Sequence, residues 1–428
     1  MIKFEASAAG LTKGLIPVID VANKNVLKDF EFAGKIKLVV EQDALTACAW
    51  NGKMSIRNEI SDLTTDELLY TCHETGSVVV DGSDVALVIS SFRPSDQLII
   101  YVSENGSGKE VVFSLLDDSE QYQTVPCYDA DMDVPESETN IVKKTIIRRD
   151  AFLRGAAKVL FALGYEDRRP RYLYWVFRVS EYSLRFIAGT GARFAVMDMD
   201  GANLFKEKSE TFDMMIPGES TKVIAKILSD INDEYVTIEQ SDPKSNYQII
   251  VSSGSSTIIM LGMDPDETYI DENVILDANY TEKFISEVAD WEYAGKGAKA
   301  TYDVRLKKES RPHPGQVLVD FEKNEVIVKT TERMRSSRKV KIIDKDTTNP
   351  KISFNASCPF LNEIADNAEN DKYVQIEYIE DVDNKNRRPI LVRYYVNDKV
   401  SSSNEVGRDN KVLASKEKFS VFFAQLQG

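Results

Sequence analysis

Histidine is nearly absent from this sequence: His73 and His313 are the whole complement in 428 residues. Neither lies in a motif that would let it serve a serine or cysteine nucleophile as general base, which argues against that class of hydrolase. Cysteine is scarce too. Cys48, Cys72, Cys127 and Cys358 lie far apart and form no C-x-x-C. Cys72 and His73 are adjacent, a poor spacing for zinc, so no metal is expected. The four thiols read as free, buried cysteines of a reducing cytosol, which points to the cytoplasm. No run of about 18 apolar residues is present, so nothing in the chain reads as membrane-spanning. The opening M-I-K-F-E-A-S-A-A-G-L-T-K is broken by Glu5 and Lys13 and does not read as a secretory signal.

Positive charge is also in deficit. There are 53 Lys and Arg against 69 Asp and Glu, a net charge of −16. Taken whole, that balance argues against nucleic acid, whose binding is driven by cations that displace counterions. The distribution tells a different story. Residues 143–171 hold Lys143, Lys144, Arg148, Arg149, Arg154, Lys158, Arg168, Arg169 and Arg171 against only Asp150, Glu166 and Asp167. A charge run is ordinarily a solvated face; a focused basic patch competes with that reading here.

The length exceeds one ordinary core and implies two to four domains. The chain repeats itself three times. Residues 78–93, 214–229 and 352–367 each read as a short apolar strand, a small or polar cap, and a helix of about ten residues. Ser83, Ser220 and Ser357 suit the helix N-termini. An alternating strand follows each: Q-L-I-I-Y-V, Y-V-T-I-E and Y-V-Q-I-E-Y. A second strand-to-helix motif recurs at 2–15, 145–158 and 274–287, in the same order relative to the first. Anchored on Val80, Ile216 and Phe354, the repeats are spaced by 136 and 138 residues. Each repeat then carries two helices and about eight strands, an α+β layer of helices on antiparallel sheet. Boundaries are expected near 130–142 and 264–272, giving domains 1–137, 138–270 and 271–428.

Residues 185–196, R-F-I-A-G-T-G-A-R-F-A-V, carry two glycines around Thr190. A phosphate loop or dinucleotide fingerprint would need a helix after the glycines. Both flanks read as strands instead, with no helix N-terminus to hold phosphate. N-G-S-G-K at 105–109 fails the same test and reads as a hairpin turn. No cofactor is expected.

A strand, a turn of the form A-x-x-G-x-R-x-A and another strand, in the middle repeat of three, resembles the bacterial-type β sliding clamp, the processivity ring of replicative DNA polymerase. That family's turn reads A-T-D-G-H-R-L-A. Ala188, Gly191, Arg193 and Ala195 match it, whereas Gly189, Thr190, Ala192 and Phe194 depart from it. M-I-P-G-E-S-T-K-V-I-A-K-I-L resembles the second-domain helix, D-P-D-E-T-Y at 264–269 the link into the third domain, and F-S-V-F-F-A-Q-L at 419–426 the final strand.

The resemblance implies three clamp-like domains per chain and a head-to-tail homodimer, a non-enzymatic ring closed around duplex DNA, with helices lining the hole. It implies DNA polymerase and clamp loader as partners. Phosphate contacts then fall to Lys24, Arg149, Arg154, Lys158, Arg168, Arg169, Arg171, Lys222 and Lys226, with Lys13 and Arg93 as weaker candidates. Such contacts carry no sequence information. A partner-peptide cleft would be walled by Tyr172, Gly189, Thr190, Gly191, Arg193 and Phe194, by Pro265, Tyr269 and Ile270 of the link, and by Phe422, Phe423 and Leu426. The competing reading of the turn is a plain hairpin with its phenylalanines in the core.

Departures from the family pattern are the missing turn His and Asp, Gln427 and Gly428 after the final leucine, a polar insertion at 397–411 that reads as a loop, and acidic third-repeat helices at 282–292 and 360–371. Two other functions stay open on the sequence. One is a nucleic-acid enzyme using Asp198, Asp200 and Asp266 as metal carboxylates. The other is a ring-forming structural protein that never loads on DNA.

Overall fold

The computed structural model describes residues 2–24, 26–62, 68–105, 108–129, 131–164, 170–190, 193–244, 247–263, 269, 271–300, 314–330, 335–368, 371–379, 389–395 and 416–424. The chain divides into two compact units, one of 1–153, 179–181 and 203–267, the other of 154–178, 182–202 and 268–428.

Six helices continue directly from a strand: α1 (Ala8–Asn23), α2 (Gly82–Ser90), α3 (Arg149–Leu160), α4 (Gly218–Asp230), α6 (Val288–Ala300) and α7 (Cys358–Asp366). A single helical turn, α5 (Asn273–Leu276), precedes the fifth of these. The strand-to-helix step is therefore made twice in each of three stretches of chain, as the repeats require. The first stretch carries nine described strands, one more than expected, because Thr71–Glu74 adds to the edge of Lys3–Ser7. The other two carry eight each.

The third repeat departs from the sequence reading. Val274, Ile275 and Leu276 form the isolated turn α5, and Val274 is exposed. The true strand is Glu282–Glu287 and its helix begins at Val288, so 282–287 is not helical. Three branched apolar residues look like a strand, but burial selects Phe284 and Ile285. The second motif is also shifted. α2, α4 and α7 start at 82, 218 and 358, so Ala356 and not Phe354 occupies the position of Val80 and Ile216. Strand side chains alternate with period two, and a slip of two residues keeps the same face inward.

The serine caps are corrected as well. Asp81 caps α2, accepting from the N–H groups of Ser83 and Asp84. Ser220 lies inside α4, whose N-cap is Pro217, and Ser357 occupies the N-cap of α7 without a side-chain hydrogen bond. Ser7 caps α1 by accepting from Gly10 N–H.

Each unit is built on one long antiparallel sheet. In the first, the hydrogen-bonded order is Ile141–Arg148, Tyr235–Ser241, Gln248–Ser253, Ser256–Leu261, Met54–Ile60, Leu45–Trp50, Lys35–Val40, Gly76–Asp81, Tyr122–Tyr128, Gly108–Leu115, Gln97–Asn105, Lys3–Ser7 and Thr71–Glu74. The strands Gln97–Asn105 and Gly108–Leu115 meet at Asn105 and Gly108, so N-G-S-G-K is a hairpin as expected. In the second unit the order is Tyr174–Val179, Ser183–Gly189, Arg193–Asp200, Lys416–Ala424, Pro389–Tyr395, Tyr373–Tyr378, Glu282–Glu287, Ser336–Asp346, Glu325–Thr330, Pro314–Asp320 and Lys351–Ser357.

Each sheet therefore contains a seam where strands of successive repeats pair. At the first seam Met54–Ile60 pairs Ser256–Leu261, from Met54 opposite Met260 to Asn58 opposite Ser256. At the second, Arg193–Asp200 pairs Lys416–Ala424, from Arg193 opposite Phe423 to Asp200 opposite Lys416. Helices cover one sheet face. α1 packs on Met54–Ile60 and Leu45–Trp50 and against α2, and α6 packs against α7. In the second unit the core holds Trp175 stacked on Phe186 at 5.7 Å, with Phe177 beside both. A side chain at Gly155 would collide with the Phe186 ring, so the glycine lets α3 approach the sheet closely at that point.

Candidate functional site

The turn at residues 189–194 joins two paired strands, with Gly189 opposite Phe194. Thr190 N–H donates to Arg193 C=O at 2.7 Å, and Arg193 N–H donates to Thr190 Oγ1 at 3.3 Å, so the turn closes on itself. Gly189 is buried and has no room for a side chain: a Cβ there would sit 2.2 Å from Phe194 Cδ2. Its N–H donates to Tyr269 Oη at 3.0 Å, and that hydroxyl donates to Tyr174 C=O at 3.1 Å. One phenol from the link thus ties the turn to the neighbouring strand. Burial pushes the Tyr269 phenol well above its usual range, so it stays a neutral donor.

Arg193 reaches away from the turn. Its guanidinium donates to Glu363 Oε1 on α7 at 3.1 Å and to Leu163 C=O at 3.4 Å, and lies over the Phe161 ring. Burial raises the Glu363 carboxyl above its usual value, with Arg193 opposing that shift. Tyr172 is buried, with Arg171 over its ring at 5.2 Å. Phe194 and Phe423 are fully buried, and Phe423 stacks on Phe360 at 5.0 Å. Phe422, opposite Phe194 in the seam, is half-exposed. The turn, the link and the last strand do converge. Of these phenylalanines Phe422 keeps part of its surface exposed, while Phe194 and Phe423 belong to the core. Gly191, Pro265, Ile270 and Leu426 lie outside the described residues.

In the basic run of 143–171, Lys143, Lys144, Arg148 and Lys158 meet partners, most of them remote in sequence. Lys144 pairs with Glu239 at 3.0 Å, Arg148 with Asp150 and Glu234, and Lys143 donates to Asp213 C=O. Lys158 is buried, donates to Asn367 C=O at 2.9 Å and lies over the Phe419 ring at 5.0 Å, so its ammonium is not presented to solvent. Arg149, Arg154 and Arg171 are half-buried, and Nε and Nη1 of Arg149 have no hydrogen-bond partner among the described residues. Arg168 and Arg169 lie outside the described residues.

In the first unit Lys24 and Lys226 share one carboxylate, Asp20, at 2.7 and 2.6 Å. Burial alone would raise the Asp20 carboxyl, but the hydrogen bonds from Lys226 and Lys24 outweigh it and hold it low. The same contact raises Lys226. Lys222, Lys13 and Arg93 are exposed.

The three carboxylates considered for a metal have separate fates, and Asp200 is exposed at the end of its strand. Asp198 receives Arg185 Nε at 2.6 Å, and Asp266 lies outside the described residues. No cluster of three potential metal ligands occurs among the described residues. Glu272, unremarked in the sequence, is the centre of a buried network: it accepts from both Arg178 and Arg185. The four cysteines are free, but only Cys48 and Cys358 are buried; Cys72 and Cys127 are half-exposed. No described helix is long and apolar enough to cross a membrane.

No protein-family model and no curated protein matches the chain. Solved structures do. The DNA polymerase III beta chain of Streptococcus pneumoniae superposes with a TM-score of 0.78 at 16% identity, covering 100% of both chains. The DNA polymerase sliding clamp of Bacillus subtilis gives 0.78 at 14% identity over 100% of this chain and 99% of its own. The DNA polymerase III beta subunit of Thermotoga maritima gives 0.74 at 12% identity over the whole of both. The chain therefore has the three-repeat α+β fold of the bacterial DNA polymerase sliding clamp.

Proposed function

We propose that the protein is a DNA sliding clamp, a non-enzymatic ring that tethers a DNA polymerase to duplex DNA in the cytoplasm. The observation that carries this reading is the end-to-end likeness to chains described as DNA polymerase sliding clamps, achieved by a sequence with the same strand-to-helix step six times. Domains 1–137, 138–270 and 271–428 would make three units per chain. Two chains joined head to tail would close the ring, since heterologous contacts close only when the rotation returns to the start.

A topological hold needs little grip. Arg149, Arg154, Arg168, Arg169, Arg171 and Lys222 supply the phosphate contacts on this reading, with Lys24 and Lys226 weakened by Asp20. The cleft formed by Tyr172, Gly189, Thr190, Gly191, Arg193, Pro265, Tyr269, Ile270, Phe422 and Leu426 takes a short peptide from the polymerase or from a clamp loader.

The test is mass in solution together with retention on nicked circular DNA. A dimer of twice the 48.2 kDa chain mass, held on circles and lost on linearisation, is expected. A compact monomer, or equal retention on linear and circular DNA, removes the clamp reading. Replacing Arg168, Arg169 and Arg171 with Glu should lower the salt slope of retention by at most about 0.9 per lost phosphate contact.

A further inference from the structure

At the first seam the segment 131–138 runs as a strap over the sheet face turned away from α1. Asp131 pairs with Lys37 at 2.8 Å, and Lys37 also donates to Met132 C=O. Met132 is fully buried. Ser55 Oγ donates to Pro135 C=O, Gln248 Nε2 donates to Glu136 C=O, and Glu138 N–H donates back to Gln248 Oε1. Glu136 pairs with Arg57 at 3.6 Å. The sheet thus holds an acidic, extended stretch of chain by one apolar anchor, two cations and side-chain hydrogen bonds to its backbone. This is the chemistry of a peptide groove with a resident peptide.

The strap leaves space on both sides of Pro135. On one side is a cavity of about 200 Å³ bounded by Lys37, Cys48, Arg57 and Val134. On the other is an open cavity of about 110 Å³, lined by Trp50, Lys53, Met54, Pro135, Ile259 and Leu261. Leu261 stands at its rim, 55% exposed at the end of its strand.

The wall is held by hydrogen bonds of its own. Asn51 is fully buried, donates to the carbonyls of Val21 and Lys24, and accepts from Lys53 N–H and Met54 N–H. Gly52 takes the left-handed φ of 85° that this turn requires. A preformed site loses little entropy on binding. Lys53, paired with Glu219 at 3.0 Å on the surface, supplies a cation at the mouth that an incoming carboxylate can share.

We infer that the first seam is a second peptide-docking groove, in which a short, extended, acidic segment of a partner protein inserts one aliphatic side chain between Trp50, Pro135 and Leu261. The inference stands on the strap, the cavity and the exposed leucine, and is independent of what docks at residues 189–194.

The probe is a fluorescein-labelled hexapeptide repeating residues 131–136, D-M-D-V-P-E, titrated against the full-length protein and followed by anisotropy. Saturable binding below about 1 mM is expected. Leu261→Glu, at an exposed position, and Lys53→Glu, at a half-exposed one, should each weaken it at least tenfold, while Phe422→Glu at the other turn leaves it unchanged. Absence of binding to the parent, or equal binding to the Leu261→Glu and Lys53→Glu variants, overturns the inference. Loss only in Phe422→Glu overturns it too, by placing the peptide at the second turn.

Discussion

The turn at the first seam is held by one buried residue of its own, Asn51, whereas the turn at the second is held by side chains from remote segments. Tyr269 reaches Gly189, and Glu363 on α7 reaches Arg193. The strand topology at the two seams is the same, a terminal strand of one repeat's first half against the last strand of the next repeat. The difference lies in where the polar partners come from. At the first, the turn's own side chain reaches out to the carbonyls of Val21 and Lys24, and a strap with exposed acids crosses the sheet. At the second, a buried carboxylate, Glu272, lies under the partly buried Arg178 and Arg185.

The sharpest way to break this comparison is to remove one carboxylate from each link. Glu272→Ala removes the buried carboxylate that accepts from both Arg178 and Arg185 and should cost on the order of 3 kcal/mol, whereas Glu136→Ala, an exposed pair, should cost less than about 1 kcal/mol. Urea unfolding midpoints of the two variants check this, and equal losses would erase the distinction.

Next comes crowding. Gly189→Val drives its Cβ into Phe194, and overpacking of that kind costs about 1–3 kcal/mol. Its effect on binding of a polymerase-derived peptide should be confined to the second turn. Wild-type stability of Gly189→Val in thermal melts would show that the turn has slack.

Tyr269→Phe keeps the ring and deletes the hydroxyl. Leaving Gly189 N–H without its acceptor should cost about 1 kcal/mol or somewhat more, seen as faster hydrogen exchange at Gly189. Unchanged protection there would mean that the link does not hold the turn.

The smallest effect on stability is expected at Asp20→Asn, at most about 1 kcal/mol, because Lys24 and Lys226 are about half exposed. Its effect on DNA should have the opposite sign. Two lysines released from one carboxylate should raise retention and steepen its salt dependence. The pH dependence follows from the lowered Asp20 carboxyl. Its stabilisation is present above the unfolded value of about 4 and is lost as pH falls through the lower folded value. The Asn variant should lack that acid loss, and identical acid limbs for variant and parent would refute the shared pair.

The strand-to-helix step of the first two repeats was legible because it is local: alternation followed by a 3.6-residue period needs no knowledge of the rest of the chain. The same signal misled at Val274–Leu276, where an apolar triplet found nothing to pack against, and at Phe354, where period-two alternation cannot tell a register from one shifted by two residues. For the candidate cleft the sequence supplied residues and not their exposure. The glycine turn, Tyr269 and the last strand were matched by resemblance, and the fold brings the described ones together. What the sequence by itself determined was the repeat, the class of fold and the amount of charge. Only the tertiary structure decided which charges remain available. Glu239 answers Lys144, Asn367 takes Lys158, Asp20 holds Lys226, and Phe194 goes into the core and not into a cleft. Periodicity is carried by neighbours in the chain, whereas ion pairing and burial are set by residues that meet only after folding, for Asp20 and Lys226 across 206 positions.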